Sequence, residues 1–542
     1  MCPLTQALHV TSNKPKPTEG ARQFSRNFPV HQGLRCMLPR AEKSWTLFEA
    51  AHLLNRAGFG GSPADIQKLH ALGRSAAVES LISPSEALDA FPTPTWTHPE
   101  AVESLIKQRL KQRLETRKAT RDQSPEEAEK ARRESQRMEQ RESREHALEA
   151  QGWWFRRMLE TQAPLREKMT LFWHDHFPTS FQKVRQPVLL FRQNELFRRH
   201  ALGSFKELTH AVHMDPAMML YLDGQNSQKG MPNENFPREV MELFTLGEGA
   251  YTEKDVSEAA RAFTGYRIER RNGTVSHNRK LWDASDKTIF GQTGAFTGTD
   301  VIEMIFQKKE PARFMAKKLW EYFVYEKPSN TALDALSTVF QNAKLQVAPL
   351  LREIFLSKEF YSEKSMRTQI KCPIQFLAVS LKQLEIQQAP LGFPITAQAQ
   401  LGQILFAPPN VAGWDWGQAW INTNTLLTRY NLAGFLTKGS GEGDTSIANE
   451  RMKVKGMAAA PKKMGRNWTG PNYEKIAARP LRTNPADLVD SLIFRFFQSP
   501  IPDKARNSFI DYANAKKGVV FTNKEVAELC HLMLSTPYYQ LC

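Results

Sequence analysis

The sequence contains 542 residues, of which 41% are hydrophobic and 24% are charged, with a formal net charge of +16 at pH 7. This apolar content is enough for sizeable buried cores and excludes an intrinsically disordered chain. The five cysteines are scattered and form no CxxC pair, so the sequence indicates neither a zinc knuckle nor a disulfide framework.

The basic charge favours contact with polyanions, but basic tails and solvated helices produce the same excess. No zinc-finger or RRM signature is present, and we do not expect nucleic-acid binding. No apolar run is long enough to cross a bilayer, so no transmembrane segment is predicted. The first residues lack a secretory signal, which predicts a cytoplasmic protein if Met1 is the true start; export stays open if it is not.

The N-terminal segment, residues 1–44, is rich in proline, asparagine and basic residues and has no helical periodicity. We predict a disordered basic arm here, followed by one helical domain over residues 45–542. The first helix is expected around residues 47–54. A glycine-rich turn should connect it to a second helix that Ser62 caps.

Between residues 99 and 150 the composition shifts to glutamate, lysine, arginine and glutamine. Opposite charges four positions apart favour a helix, but apolar residues are too few for a coiled-coil seam. The pattern predicts a solvated, charged helical insertion that is broken at Ser124-Pro125. An arm that binds a partner is the alternative.

The segment LREKMTLFWHDHF, residues 165–177, is predicted to be a helix that ends before Pro178. His174 and His176 lie two positions apart, which places them on nearly opposite sides of an ideal helix. They can converge on a metal ion only where the helix frays at its end. Each histidine is therefore either a metal ligand or a hydrogen-bonded packing residue.

The sequence is organised around residues 233–266, NENFPREVMELFTLGEGAYTEKDVSEAARAFTGY. Two helices are predicted here. Asn235 is the expected N-cap of the first helix, which should end at Gly247. Thr252 and Asp255 resemble a capping box for the second.

Arg238, Glu239 and Glu242 project from the first of these helices and are the candidate catalytic residues. Arg238 and Glu242 are spaced for an ion pair, whereas Glu239 and Glu242 repel each other unless a cation or a shared proton intervenes. Together with His174 and His176, Glu239 would suit a divalent metal ion such as zinc, manganese or iron. A salt-bridged helix face is the alternative.

Alternating polar and apolar residues around Asn272-Gly273 predict a β-hairpin. Beyond it, three glycines lead to Asp300, which with Glu303 resembles a capping box. A phosphate bound at that helix start is the alternative to a purely structural loop.

Residues 408–420, the tryptophan loop, hold prolines and glycines that predict irregular backbone. The candidate binding residues of the loop are Asn410, Trp414, Trp416 and Trp420. These rings either form a platform for a sugar or a peptide or cover the hydrophobic core. Further on, residues 438–466 are rich in glycine, lysine and alanine and are predicted to be a flexible loop.

Five segments carry a family resemblance: HLLNRAGFG from His52, LREKMTLFWHDHF from Leu165, DPAMMLYLDG from Asp215, the NEN to TGY stretch from Asn233, and APPNVAGWDWGQAWINT from Ala407. Together they resemble the DUF1800 family of uncharacterised bacterial proteins. The resemblance implies a predominantly helical protein that is often encoded beside a DUF1501 protein and often exported, with no established activity. Where that family tends to show a His-Asp pair, this sequence has Trp282-Asp283.

The sequence therefore predicts a mainly α fold, with a large multi-helix domain, a small β-hairpin and a charged helical insertion. It favours a binding or assembly protein that acts with a DUF1501-type partner. The alternative is a metal-dependent, hydrolase-like enzyme that uses the histidine and glutamate cluster with a divalent metal ion as cofactor. No nucleophile elbow, Walker motif or zinc-protease motif is present.

Overall fold

Helices account for most of the structure, which confirms the predicted mainly α fold. The computed structural model describes residues 37–42, 44–84, 91–119, 124–269, 273–386, 392–438, 470–516, 518 and 520–542. The predicted arm over residues 1–44 and the predicted flexible loop over residues 438–466 fall almost wholly outside the described residues, as does Asn272.

The helices and strands are numbered in chain order. The helices before the first strand are α1 Leu47–Ala57, α2 Pro63–Ala71, α3 Arg74–Ile82, α4 Pro99–Ala119, α5 Pro125–Glu160, α6 Pro164–His176, α7 Phe181–Val184, α8 Pro187–Arg199, α9 Phe205–His213, α10 Pro216–Tyr221, α11 Asn235–Glu239 and α12 Glu253–Ala262. The later helices are α13 Gly298–Gln307, α14 Glu310–Phe323, α15 Asn330–Asn342, α16 Val347–Phe355, α17 Pro373–Gln383, α18 Gly392–Leu401, α19 Thr423–Lys438, α20 Tyr473–Ile476, α21 Pro485–Phe496, α22 Asp503–Lys516 and α23 Asn523–Leu534.

Side-chain caps set the starts of several helices because they satisfy backbone N–H groups that have no partner inside the helix. Ser62 caps α2 and Thr252 forms a capping box at α12, as predicted, and Ser62 also forms a capping box with Asp65. The box at α13 differs from the prediction: it pairs Thr297 with Asp300, one turn before the expected pair of Asp300 and Glu303. Thr297 is the N-cap and Asp300 is the third residue of α13, so the Thr297 side chain accepts the Asp300 N–H.

The central helix differs most from its prediction. Asn235 is the first helical residue rather than the N-cap, and its side-chain amide donates to the Leu222 carbonyl oxygen at 3.5 Å. After α11 the chain continues as a π-helix over Val240–Thr245. Its end is closed by Leu246 N–H, which donates to the Met241 carbonyl oxygen at 2.8 Å. Such π-helical turns are rare and occur frequently at functional sites.

The charged insertion consists of α4 and α5, which an Arg109–Glu142 salt bridge of 2.9 Å connects. The expected break at Ser124-Pro125 is the N-cap of α5. No break occurs at residue 150, because α5 continues into the buried core. Near its predicted end the insertion packs on the body, where His146 stacks on Trp96 with ring centroids 4.7 Å apart.

Two small antiparallel sheets follow α12, where the sequence predicted one hairpin. The first pairs β1 Tyr266–Ile268 with β2 Val275–His277 and flanks the predicted turn. The second pairs β3 Lys287–Ile289 with β4 Gln292–Gly294. Both pairs have three residues in each strand, but the second lacks the Asn-Gly turn that predicted the first, since Phe290-Gly291 joins its strands.

One continuous hydrophobic core extends through the described residues from Leu38 to Tyr539. Its largest fully buried side chains include Trp154, Trp173 and Trp320. The core reaches both α6 and the tryptophan loop, and this brings two distant segments of the sequence together. In the part of the chain that the structure describes, no helix is both long and apolar enough to span a membrane.

Candidate functional site

The tryptophan loop packs directly on the end of α6, although the two segments are more than 200 residues apart in the sequence. The backbone N–H of Trp414 donates to Asp175 Oδ1 at 2.7 Å. Gly413 has a φ of +87°, and a Cβ atom at this position would clash with the Asp175 carboxylate and its backbone oxygen. Only glycine therefore fits this contact without strain.

Asp175 is a half-buried carboxyl group at this junction. Burial raises the pKa of Asp175 to about 7, while the Trp414 N–H and the positive charge of Lys318 act in the opposite direction. A carboxyl group that titrates near neutral pH can exchange a proton under physiological conditions, which is the property of a general acid or base.

Lys318 of α14 binds His176, and its positive charge also acts on Asp175. Its Nζ donates to His176 Nδ1 at 3.3 Å, and His176 Nε2 donates to the Phe244 carbonyl oxygen of the π-helix at 2.9 Å. Burial and the charge of Lys318 hold the pKa of His176 well below its ordinary value. His176 is therefore neutral, and both of its ring nitrogens already have partners.

His174 lies in an aromatic cage rather than beside polar groups. Its ring contacts Trp154, Phe406 and Trp414, with centroids 5.3, 5.6 and 5.5 Å away. Burial lowers the pKa of His174 to about 3, so the ring is uncharged at neutral pH. Its Nε2 has no hydrogen-bond partner among the described residues.

The three candidate catalytic residues lie on α11 and the π-helix. Arg238 forms a bidentate ion pair with Glu253 at 2.8 and 2.9 Å and also binds Glu234 at 3.1 Å. The expected Arg238–Glu242 pair is replaced, since Glu242 accepts a hydrogen bond from the Tyr251 hydroxyl at 2.8 Å.

The charge of Glu242 acts on Glu239, as their spacing predicts. Burial raises the pKa of the half-buried Glu239, and the charge of Glu242 raises it further. His176, however, turns to the Phe244 carbonyl oxygen rather than to either acid. A catalytic role for Arg238, Glu239 and Glu242 stays a prediction.

The predicted metal ligands, His174, His176 and Glu239, have separate environments in the structure. Within the described ranges, no three His, Cys, Asp or Glu side chains are grouped so that they could hold a metal ion. His176 would have to release Phe244 or Lys318 to bind a metal ion. The metal site stays a prediction, and it requires rearrangement of these side chains.

The three rings of the tryptophan loop have different environments. Trp414 and Trp420 are buried in the core, whereas Trp416 is 47% exposed and meets the Tyr322 ring edge-on at 5.3 Å. Asn410 is exposed, and its side-chain oxygen accepts the Ala412 N–H at 2.8 Å, which shapes the turn before Gly413. Trp416 is thus the ring of this loop that a partner can reach.

Helix α19, which begins seven residues after Trp416, carries further exposed apolar side chains. Leu426, Leu427 and Tyr430 are about half exposed or more, and their spacing places them on one face of the helix. The sequence interpretation missed this face, although LLTRY follows the tryptophan loop directly. We call Trp416, Leu426, Leu427 and Tyr430 the apolar surface.

The comparisons with known proteins identify the family. A protein family described as "Protein of unknown function (DUF1800)" matches residues 52–541. No curated protein and no solved structure matches the chain. The matched range includes α6, the central stretch and the tryptophan loop, and the chain therefore belongs to the DUF1800 family.

Proposed function

We propose that this DUF1800 protein is a binding or assembly protein whose partner covers the apolar surface. The observation that carries the proposal is the exposure of four large apolar side chains within residues 416–430. Large apolar side chains grouped on a protein surface mark interaction sites, and tryptophan and tyrosine are common among the residues that dominate binding energy.

The packing beneath the apolar surface supports this function. Trp414 and Trp420 anchor the tryptophan loop in the core, and Gly413 allows the loop backbone to approach Asp175 closely. Trp416 therefore projects from a rigid support, which limits the conformational entropy lost when a partner binds. We assign the partner to the DUF1501 type, because proteins that resemble this chain are often encoded beside such a protein.

The test uses the DUF1501-type protein encoded nearest to this gene, titrated calorimetrically into the full-length chain. Trp416→Ala should weaken binding by about 2 kcal/mol, roughly 30-fold. Leu427→Glu should abolish it, because the substitution places a charge in the apolar interface. Leu72→Glu is the matched control: Leu72 is 49% exposed, similar to Leu427 at 57%, but lies on the surface after α2.

Equal affinity of the wild type, Leu427→Glu and Leu72→Glu would refute the apolar surface as the binding site. No complex with the wild-type chain would refute the DUF1501-type partner. The circular dichroism of each variant should match the wild type, since both leucines are exposed and contribute little to the core.

The second candidate function is a metal-dependent hydrolase that uses the histidine and glutamate residues. The observation that favours it is the effect of the Glu242 charge on the half-buried Glu239, a repulsion that a bound divalent cation would relieve. Elemental analysis of the purified chain tests it, with Glu239→Gln as the variant. Near-unit metal stoichiometry that Glu239→Gln abolishes would support the enzyme. A wild type without metal, whose melting temperature a chelator leaves unchanged, would exclude this site.

A further inference from the structure

A small cleft lies between α1, the segment before α17 and the end of α21. Its enclosed space is small, and it opens to solvent. Its polar lining consists of His52, Asn55, Arg367, Lys371, Gln383, Gln498 and Ser499, with Cys542. No aspartate or glutamate is among the described residues that line it.

Among the described residues, the hydrogen-bond acceptors of two cations of this cleft are all neutral. Lys371 is 3% exposed and donates its Nζ to the Tyr539 carbonyl oxygen at 2.5 Å. The Arg367 guanidinium donates to Ser499 Oγ at 2.9 Å and to the Tyr538 carbonyl oxygen at 2.8 Å. An ammonium group has three N–H donors, so Lys371 retains donors for a ligand.

Two further buried cations are arginines that do not line the cleft themselves. Arg56 is 1% exposed and donates to the Phe323 carbonyl oxygen at 3.3 Å. Arg429 is equally buried and donates to Gln540 Oε1 at 3.0 Å and to the Lys371 carbonyl oxygen at 2.8 Å. The Nε atoms of Arg56, Arg367 and Arg429 have no hydrogen-bond partner within the described part of the chain.

This concentration of buried positive charge is costly. A buried cation without a paired anion loses hydration free energy that carbonyl oxygens only partly replace. Burial accordingly lowers the pKa of Lys371 to about 7, although the charge of Cys542 acts in the opposite direction. Arg367 and Gln498 also adopt left-handed backbone conformations, each with a φ of 56°, and strained backbone is enriched at ligand sites.

We infer that this cleft binds a small oxyanion, held by Lys371 and Arg367 and stabilised by the charges of Arg56 and Arg429. The oxyanion adds negative charge near these four cations, in a cleft whose described lining includes no aspartate or glutamate. Phosphate and carboxylate groups share this chemistry, and both accept hydrogen bonds from lysine and arginine. The site is distinct from the apolar surface and does not depend on the proposed partner.

The test is calorimetric titration of the full-length chain with inorganic phosphate and, separately, with acetate, in chloride buffer of constant ionic strength. Lys371→Met should weaken binding of the preferred anion roughly tenfold to hundredfold, because a charge-assisted hydrogen bond is lost. Lys382→Met is the matched control: Lys382 lies on α17 with a pKa that burial lowers to about 8, and it does not line the cleft. The control should retain wild-type affinity.

A direct measurement covers the case in which Lys371→Met does not fold. Wild-type crystals soaked in selenate should show an anomalous peak at hydrogen-bond distance from Lys371 Nζ. Phosphate and acetate are titrated separately, so the anion that binds more tightly shows whether the cleft prefers a phosphate or a carboxylate group. Absence of binding by both anions, equal losses in Lys371→Met and Lys382→Met, or no selenate peak in the cleft would each overturn the inference.

Discussion

Replacing Asp175 by asparagine should stabilise the protein at neutral and alkaline pH. The asparagine side chain would keep an oxygen that accepts the Trp414 N–H, while the substitution removes the ionisable group. A rise in pKa from 3.8 to about 7 corresponds to about 4 kcal/mol. Because Asp175 is only half-buried and water reaches it, we expect a gain of about 2 kcal/mol.

The sign follows from proton binding. Between pH 4 and pH 7, roughly, folded Asp175 keeps a proton that the unfolded chain has lost, so the folded state is favoured at the acidic end of this window. The contribution of Asp175 to stability falls as the pH rises through the window and changes no further above about pH 7. Asp175→Asn should therefore match the wild type near pH 4 and exceed it at pH 8.

Urea unfolding of both proteins from pH 4 to pH 8.5 measures this difference as a function of pH. Asp215, whose pKa burial also raises to about 7, contributes to both proteins and cancels in the difference. Asp415→Asn is the control, because Asp415 lies exposed on the same loop and should leave the pH dependence unchanged. A difference that stays constant across the pH range, or a less stable Asp175→Asn at pH 8, would refute the reasoning.

Three further outcomes are expected from the packing. Gly413→Ala should lower the free energy of unfolding by at least about 3 kcal/mol. Gly402→Ala, at a glycine with the same φ of +87° but open space around it, should lower it by about 1–2 kcal/mol. Equal losses in the two variants would contradict the clash with Asp175. In urea unfolding, Trp414→Ala should lower the free energy of unfolding by about 3–5 kcal/mol and Trp416→Ala by less than about 1 kcal/mol. The reverse order would contradict the burial of Trp414 and the exposure of Trp416. Deleting residues 104–140 with a short linker should lower the melting temperature by less than about 5 °C, and a larger fall would show that this part of the insertion packs on the body.

Local features of the fold could be predicted because they depend on residues a few positions apart. The capping residues Ser62 and Thr252 bond to N–H groups within the same turn of chain, so their sequence pattern is sufficient. The charged composition of residues 99–150 likewise predicted helices with few core contacts. It did not predict the stacking of His146 on Trp96, which depends on a segment outside the insertion.

The candidate site could be predicted only in part. The segment WHDHF drew attention to His174 and His176, but the structure buries one in an aromatic cage and bonds both nitrogens of the other. Asp175 between them and Lys318 of α14 were missed. The pKa of Asp175 depends on the tryptophan loop and on α14, and no pattern within residues 165–177 contains that information.

The sequence by itself determined the helical class, the helix starts at Ser62 and Thr252 and the DUF1800 family, because these follow from local chemistry and extended motifs. Only the tertiary structure decided that Trp414 is buried and Trp416 exposed, although the two rings are separated by one residue. It also decided that four cations gather around one cleft without an aspartate or glutamate among the described residues of its lining. Burial and electrostatic environment depend on which distant segments pack together, and the physical properties of both sites arise from that packing.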